Sequence, residues 1–141
     1  IVSFKKIFVA VDASAQAKVV FEQAVELATK DLASLMVFHA VELGARMTYP
    51  SQIEAKTEEG QNVLQGYGEK SKELGISVEF DCRLGNPGSV ICDAAREWGA
   101  DLIVVGRRGY KGLTEVLLGS VSSHVVRNAH CSVLIVQGDV T

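Results

Sequence analysis

This 141-residue sequence has little proline, little cysteine and no long apolar run, and each shortage excludes a class of protein. With only two prolines and 48% hydrophobic residues, the chain is expected to fold and not to remain disordered. Cys82, Cys92 and Cys131 are odd in number and not closely spaced, so we expect reduced, mostly buried thiols in a cytoplasmic protein. No apolar run approaches the roughly 20 residues of a membrane-spanning helix, and no signal peptide is recognised.

Positive charge is also too scarce for a general nucleic-acid binder. The formal net charge is -3 at pH 7, whereas such a protein needs a broad basic surface to neutralise phosphates. We therefore expect neither a nucleic acid nor a membrane as partner. The length predicts one domain, residues 1–141, that can bury its core without disulfides or metals.

Apolar segments of two kinds alternate along the chain. Continuous apolar runs predict strands at 7–11, 33–38, 102–105 and 133–136, and an alternating run predicts an edge strand at 76–80. Helical spacing predicts four helices. The first begins near Ser14 as N-cap, and the other three lie at 51–74, around 90–98 and at 121–126. Strands that alternate with helices predict a parallel sheet covered on both faces. Such sheets bind ligands beyond the carboxyl ends of their strands, where the strand order reverses.

A glycine pattern joins the fourth predicted strand to the last predicted helix. Gly106 and Gly109 follow the strand, and Gly119 and Ser120 come after nine further residues. Glycine lets a backbone approach a ligand without a Cβ clash, and a helix start offers unpaired N–H groups to an anion. The pattern predicts a phosphate cradle. An ordinary glycine-rich turn is the alternative that the glycines alone leave open.

Several known catalytic and binding motifs are missing. The glycine spacing is not that of a dinucleotide fingerprint, and Lys111 is followed by Gly112, not by the Ser or Thr of a P-loop. His39, His124 and His130 lack metal-ligand spacing with the cysteines; His39 is expected to be packed and the other two exposed. No nucleophile–histidine–acid arrangement is recognisable. We therefore expect a binding protein that is at most a slow hydrolase.

Residues 106–121 carry the pattern G-x2-G-x9-G-[ST] and resemble the ATP-binding members of the universal stress protein family. The resemblance continues through 125–129 and 131–136 and includes the first strand and its end, residues 7–14. Two positions depart from the family pattern: Ala13 replaces a common glycine and Ser132 a common proline. The resemblance implies a Rossmann-like, adenine nucleotide alpha hydrolase-like α/β fold. Its sheet is open, parallel and five-stranded, in the order 3-2-1-4-5, with helices on both faces.

The same resemblance implies a set of residues that hold ATP, ADP or AMP. Asp12 would contact the ribose or a Mg²⁺ ion, although it could instead simply cap the first helix. Ala40 would meet the edge of adenine through its backbone, and Val11 and Val105 would form apolar walls. The residues around the phosphates would be Gly106, Arg108, Gly109, Gly119, Ser120, Val121 and Ser122.

Three hypotheses about function follow. The first is a cytoplasmic, ATP-binding regulatory protein of the stress response, forming a homodimer through the strand at 133–136. The second is a dimeric interaction module without functional nucleotide binding. The third is a receiver-like domain, because the first strand ends in Asp12 and the third is followed by Asp81. No adjacent acidic pair accompanies Asp12, which disfavours the third.

Overall fold

Strands and helices alternate along the chain in the computed structural model, which describes residues 3–44, 47–107 and 118–137. The elements are β1 (Lys6–Ala10), α1 (Gln16–Asp31), β2 (Ser34–Val41), α2 (Pro50–Leu74), β3 (Glu79–Leu84), α3 (Pro87–Trp98), β4 (Leu102–Gly106), α4 (Ser120–Asn128) and β5 (Ser132–Val136). The sheet is parallel throughout and has the order β3-β2-β1-β4-β5. The predicted fold class and strand order are confirmed.

The three central strands, β1, β2 and β4, bury both of their faces. Alternate residues such as Val9, Val37 and Val104 pack with side chains of α1 and α2. The side chains between them, such as those of Phe8 and Phe38, point to the other face of the sheet and pack with side chains of α3 and α4. This double coverage explains the continuous apolar runs, because each fully buried side chain of this size contributes about 1.5–3 kcal/mol.

The third strand differs from its prediction. It covers Glu79–Leu84, whereas the alternating pattern predicts 76–80. The ladder with β2 begins only at the Met36–Glu79 pair, so Ile76 and Val78 belong to the connection that packs against the core. Its predicted edge position is correct, since β2 is its only neighbour in the sheet.

Helix α2 covers the predicted 51–74 and begins one residue earlier, despite glycines that disfavour a helix. Gly60 has a packing reason, because a Cβ there would come 2.7 Å from Val41 Cγ2 and 3.0 Å from His39 Cδ2. Gly66 has no atom within 4 Å of the corresponding position. Among the helices of the described ranges, none combines the length and apolarity required to cross a membrane.

Candidate functional site

The strand order reverses between β1 and β4, and their pairing stops before either strand ends. The last β1–β4 pair is Val9–Val104, while β4 stays paired with β5 as far as Gly106–Val136. Val11 and Val105 are buried beyond that last pair. The carboxyl ends of β1 and β4 are therefore not paired with each other. We call the space between these two strand ends the crevice, since parallel sheets bind ligands at this place.

Asp12 borders this crevice and orders the turn into α1. Its Oδ1 accepts the Ser14 N–H at 2.8 Å and also the Ser14 hydroxyl. Within the three described ranges, Oδ2 has no hydrogen-bond partner. The helix is assigned Ala15 as N-cap, one residue after the predicted Ser14, but Ala15 has helical dihedral angles and Ser14 Oγ accepts a weak bond of 3.3 Å from the Ala17 N–H, as a capping side chain does. Oδ1 of Asp12 thus orders the turn through Ser14, and these bonds do not reach the first turn of α1, as a cap would.

The β4–α4 junction brings the two ends of the glycine pattern together. The Arg107 carbonyl accepts the Gly119 N–H at 2.8 Å and the Ser122 hydroxyl at 2.8 Å. Ser122 is buried, and its hydroxyl also lies 3.2 Å from the Gly119 carbonyl. The Gly119 N–H and the Ser122 hydroxyl are already bonded to the Arg107 carbonyl. The groups that remain available to an anion are therefore the main-chain N–H groups of Ser120, Val121 and Ser122.

Helix α4 begins beside the crevice with no side-chain cap. Gly119 is its N-cap residue and has no side chain that could accept a hydrogen bond from the first turn. Ser120 is exposed and Val121 is half-buried. The amino end of a helix carries a partial positive charge that favours anions. Arg108 and Gly109, together with Lys111 and Gly112, lie outside the described residues.

His39 lies at the end of β2 and contacts the end of β1. Its Nδ1 is 2.8 Å from the Val11 carbonyl oxygen, so this nitrogen carries the proton and donates it. The ring also packs against Gly60, in agreement with the prediction of a packed histidine. Ala40, the next residue, is half-buried. The sequence analysis did not predict the hydrogen bond from His39 to Val11. The signal that could have pointed to it is that His39 directly precedes Ala40, the residue expected to contact adenine.

Two further histidines are exposed to different extents. His130 is exposed as expected, with Nε2 3.0 Å from the Ala100 carbonyl oxygen. His124 is half-buried, which corrects the prediction of an exposed residue. The cause is its position against α3, where Gly88 approaches its ring closely.

Burial is the main cause of the raised pKa values of Tyr67 and of the three thiols. Burial raises the pKa of Tyr67 to about 12, and the Asp12 and Glu22 carboxylates add to the shift. Burial also raises the pKa of each thiol: Cys82, Cys92 and Cys131. All three cysteines are free, one buried and two half-buried. Protonated thiols are poor nucleophiles and metal ligands. Among the described residues, no group of three or more His, Cys, Asp or Glu could hold a metal ion.

Comparisons with known proteins agree with this architecture. The model of the universal stress protein family matches residues 3–137. A universal stress protein of Synechocystis is 41% identical over 151 residues, which covers 95% of this chain and 98% of that protein. The structure of a universal stress protein from Lactobacillus plantarum superposes with a TM-score of 0.87 at 26% identity, covering 97% of this chain and all of that one.

Two other structures of the same fold contain a nucleotide. A universal stress protein in complex with cAMP superposes with a TM-score of 0.78 at 23% identity, covering 98% of this chain and 100% of that one. A family member from Arabidopsis thaliana with AMP bound has a TM-score of 0.71 at 23% identity, with 96% and 92% coverage. These likenesses establish the shared fold.

Proposed function

Because this chain belongs to the universal stress protein family, we propose that it binds an adenine nucleotide at the carboxyl edge of its sheet. The observation that carries the proposal is the crevice between β1 and β4, with the uncapped start of α4 beside it. The crevice offers apolar walls and the helix start offers N–H donors. A nucleotide needs both, since its base is apolar on its faces and its phosphates are anionic.

Each part of the nucleotide has matching groups at this edge. The buried Val11 and Val105 would contact the base, and the backbone of Ala40 would meet its polar edge. The main-chain N–H groups that begin α4, at Ser120, Val121 and Ser122, would bind phosphate. Gly106, Arg108 and Gly109 would complete the cradle, and Gly119, whose N–H bonds to the Arg107 carbonyl, would let phosphate approach without a Cβ clash. Two proteins of this fold that contain AMP or cAMP support the proposal by showing that the architecture accommodates adenine nucleotides.

Asp12 fits a role on the ribose or on Mg²⁺. Its Oδ2 could accept from a sugar hydroxyl or bind the ion, because Oδ1 alone serves the turn to Ser14. One carboxylate with phosphate oxygens and waters is a usual environment for Mg²⁺. When bound, the ion would neutralise phosphate charge beside this carboxylate. Because ATP offers the ion more phosphate oxygens than AMP does, ATP would then be preferred over AMP.

Calorimetry with ATP, ADP and AMP, each with and without Mg²⁺, tests the proposal directly. Ser120→Asp places a negative charge at the start of α4, where it would repel phosphate yet suit the helix dipole. We expect this variant to lose nucleotide binding and keep its stability. Ser77→Asp is the matched control, because Ser77 is exposed in the connection before β3, at the opposite edge.

If wild-type protein binds no adenine nucleotide, the proposal is wrong, and the interaction-module hypothesis takes its place. Equal binding by the Ser120→Asp and Ser77→Asp variants would contradict the assignment of α4 to the phosphates. Phosphate release measured in the same samples would separate a binding protein from a slow ATPase. We propose a regulatory role in the stress response of the cytoplasm, in which ATP acts as a signal.

The edge strand β5 supports a homodimer as part of this function. Val133, Leu134 and Ile135 are only partly buried, and β5 is the last strand in the order β3-β2-β1-β4-β5 of the described residues. An apolar edge of this kind promotes association, and pairing with β5 of a second copy would satisfy its backbone groups. Sedimentation equilibrium over a range of concentrations should detect the dimer. A monomer at every concentration would contradict it.

A further inference from the structure

The ladder between β1 and β2 ends early, although β2 itself continues. The last pair is Ala10–Phe38, whereas β2 remains paired with β3 up to Val41–Leu84. One more bond follows the last pair, because Val11 N–H donates to the Phe38 carbonyl at 2.8 Å. That bond places His39 opposite Val11, as a continued parallel ladder would.

A continued ladder would use the Val11 carbonyl in a different way. In a parallel pair, the carbonyl of a residue accepts from the N–H of the residue that follows its partner. The donor to Val11 would therefore be Ala40 N–H. In this protein the His39 imidazole takes that acceptor, with Nδ1 at 2.8 Å. No bond from Ala40 N–H to Val11 is present among the residues that the structure describes.

We propose that His39 is a positioning residue which holds the end of β1 and keeps the backbone edge of Ala40 open for the base. The imidazole donates its hydrogen bond to the Val11 carbonyl oxygen. The N–H and C=O of Ala40 point toward β1 but form no hydrogen bond with Val11. This role rests on the proposed adenine nucleotide function. The bond also fixes the Val11–Asp12 peptide plane, since a planar peptide orients Asp12 N–H opposite to the held carbonyl.

Helix α2 holds the ring in this position. A Cβ on Gly60 would come 3.0 Å from His39 Cδ2, so the backbone of α2 lies directly against the imidazole. Only Nδ1 reaches the carbonyl. A substitution can therefore distinguish the two ring positions: an Asn amide nitrogen matches the reach of Nδ1, and a Gln amide nitrogen matches that of Nε2.

Amide hydrogen exchange on the nucleotide-free protein tests the ladder role. In His39→Leu and His39→Gln, the Val11 carbonyl becomes available to Ala40 N–H, and exchange at Ala40 should slow by about tenfold or more. His39→Asn should exchange like wild type. The amides of Val9 and Val37, in the central strands, correct for changes in overall stability. Equal exchange at Ala40 in all four proteins would overturn the inference.

Calorimetry with ATP and GTP tests the positioning role. His39→Leu and His39→Gln should lose ATP affinity by about tenfold, as for one hydrogen bond, with little change for GTP. His39→Asn should remain within about threefold of wild type. If wild type binds ATP and all variants match it, this inference fails and the proposed function stands. If wild type binds no adenine nucleotide, both fail.

Discussion

The Ser122 hydroxyl lies 2.8 Å from the Arg107 carbonyl oxygen, across the two ends of the segment that joins β4 to α4. The Gly119 N–H donates to the same oxygen at 2.8 Å. One carbonyl, directly after β4, therefore holds both the N-cap residue and the first turn of α4. The start of α4 is thereby anchored to the carboxyl end of β4. A helix start held in this way presents its N–H groups at a defined place beside the crevice.

Ser122→Ala should therefore destabilise the fold. Ser122 is only 3% exposed, and loss of its hydroxyl leaves the Arg107 carbonyl with one donor fewer. We expect a loss of about 1–2 kcal/mol in the free energy of unfolding, measured by urea denaturation. Ser120→Ala is the matched control because Ser120 is exposed in the same turn, and it should change stability by less than about 0.5 kcal/mol. Equal losses would contradict the anchoring role.

Two of the three glycines within α2, Gly60 and Gly66, should respond in opposite directions to alanine. Gly60→Ala places a Cβ 2.7 Å from the stiff, buried side chain of Val41 and should cost about 1–2 kcal/mol. Gly66→Ala meets nothing within 4 Å and should stabilise the helix by about 0.5–1 kcal/mol. Thermal or urea unfolding measures both. Stabilisation by Gly60→Ala would show that α2 does not lie as close to β2 as described.

Gly88 lets α3 approach α4 at the root of His124. A Cβ on Gly88 would come 2.6 Å from His124 Cγ and 2.7 Å from His124 Cβ, and the Cβ cannot move without the helix backbone. Gly88→Ala should lower the free energy of unfolding by about 2 kcal/mol. In a His124→Gly background, which removes the Cβ as well as the ring, the added methyl has room, so the same change should be nearly neutral. A double-mutant cycle in urea measures this coupling, and additive effects would rule out the contact.

The sequence was sufficient for the architecture because its strands are buried on both faces. Apolar runs around Val9, Val37 and Val104 locate the central strands, and the alternation with helices implies a parallel sheet. The edge strand β3 was harder to delimit. Its residues are at most half-buried and include the exposed Phe80 and Leu84, so apolar patterning marks it only weakly.

The contacts that shape the candidate site could not be predicted in the same way. The bonds from His39 to Val11 and from Ser122 to Arg107 depend on strand register and on the path of a connection. Hydrophobic periodicity carries no information about either. The close approach at Gly60 also escaped prediction, because helix propensity treats every glycine of α2 as unfavourable. Positions of candidate residues were predictable, whereas their hydrogen-bond partners required the structure.

Tyr67 should make stability depend on pH in the alkaline range. Burial raises its pKa from 10.0 to about 12, with Asp12 and Glu22 adding to the shift, and its ring stacks on Phe21 with centroids 4.9 Å apart. Because the folded state holds the proton more tightly than the unfolded state, this contribution is complete below pH 10 and is lost as the pH rises toward about 12. The free energy of unfolding is measured well below pH 10 and again near pH 12. Its decrease between the two pH values should be larger for wild type than for Tyr67→Phe. Subtracting the variant removes the contribution of lysines that titrate in the same range. Tyr49→Phe, at an exposed tyrosine, is the matched control. The same alkaline loss in wild type and Tyr67→Phe would show that Tyr67 titrates alike in both states.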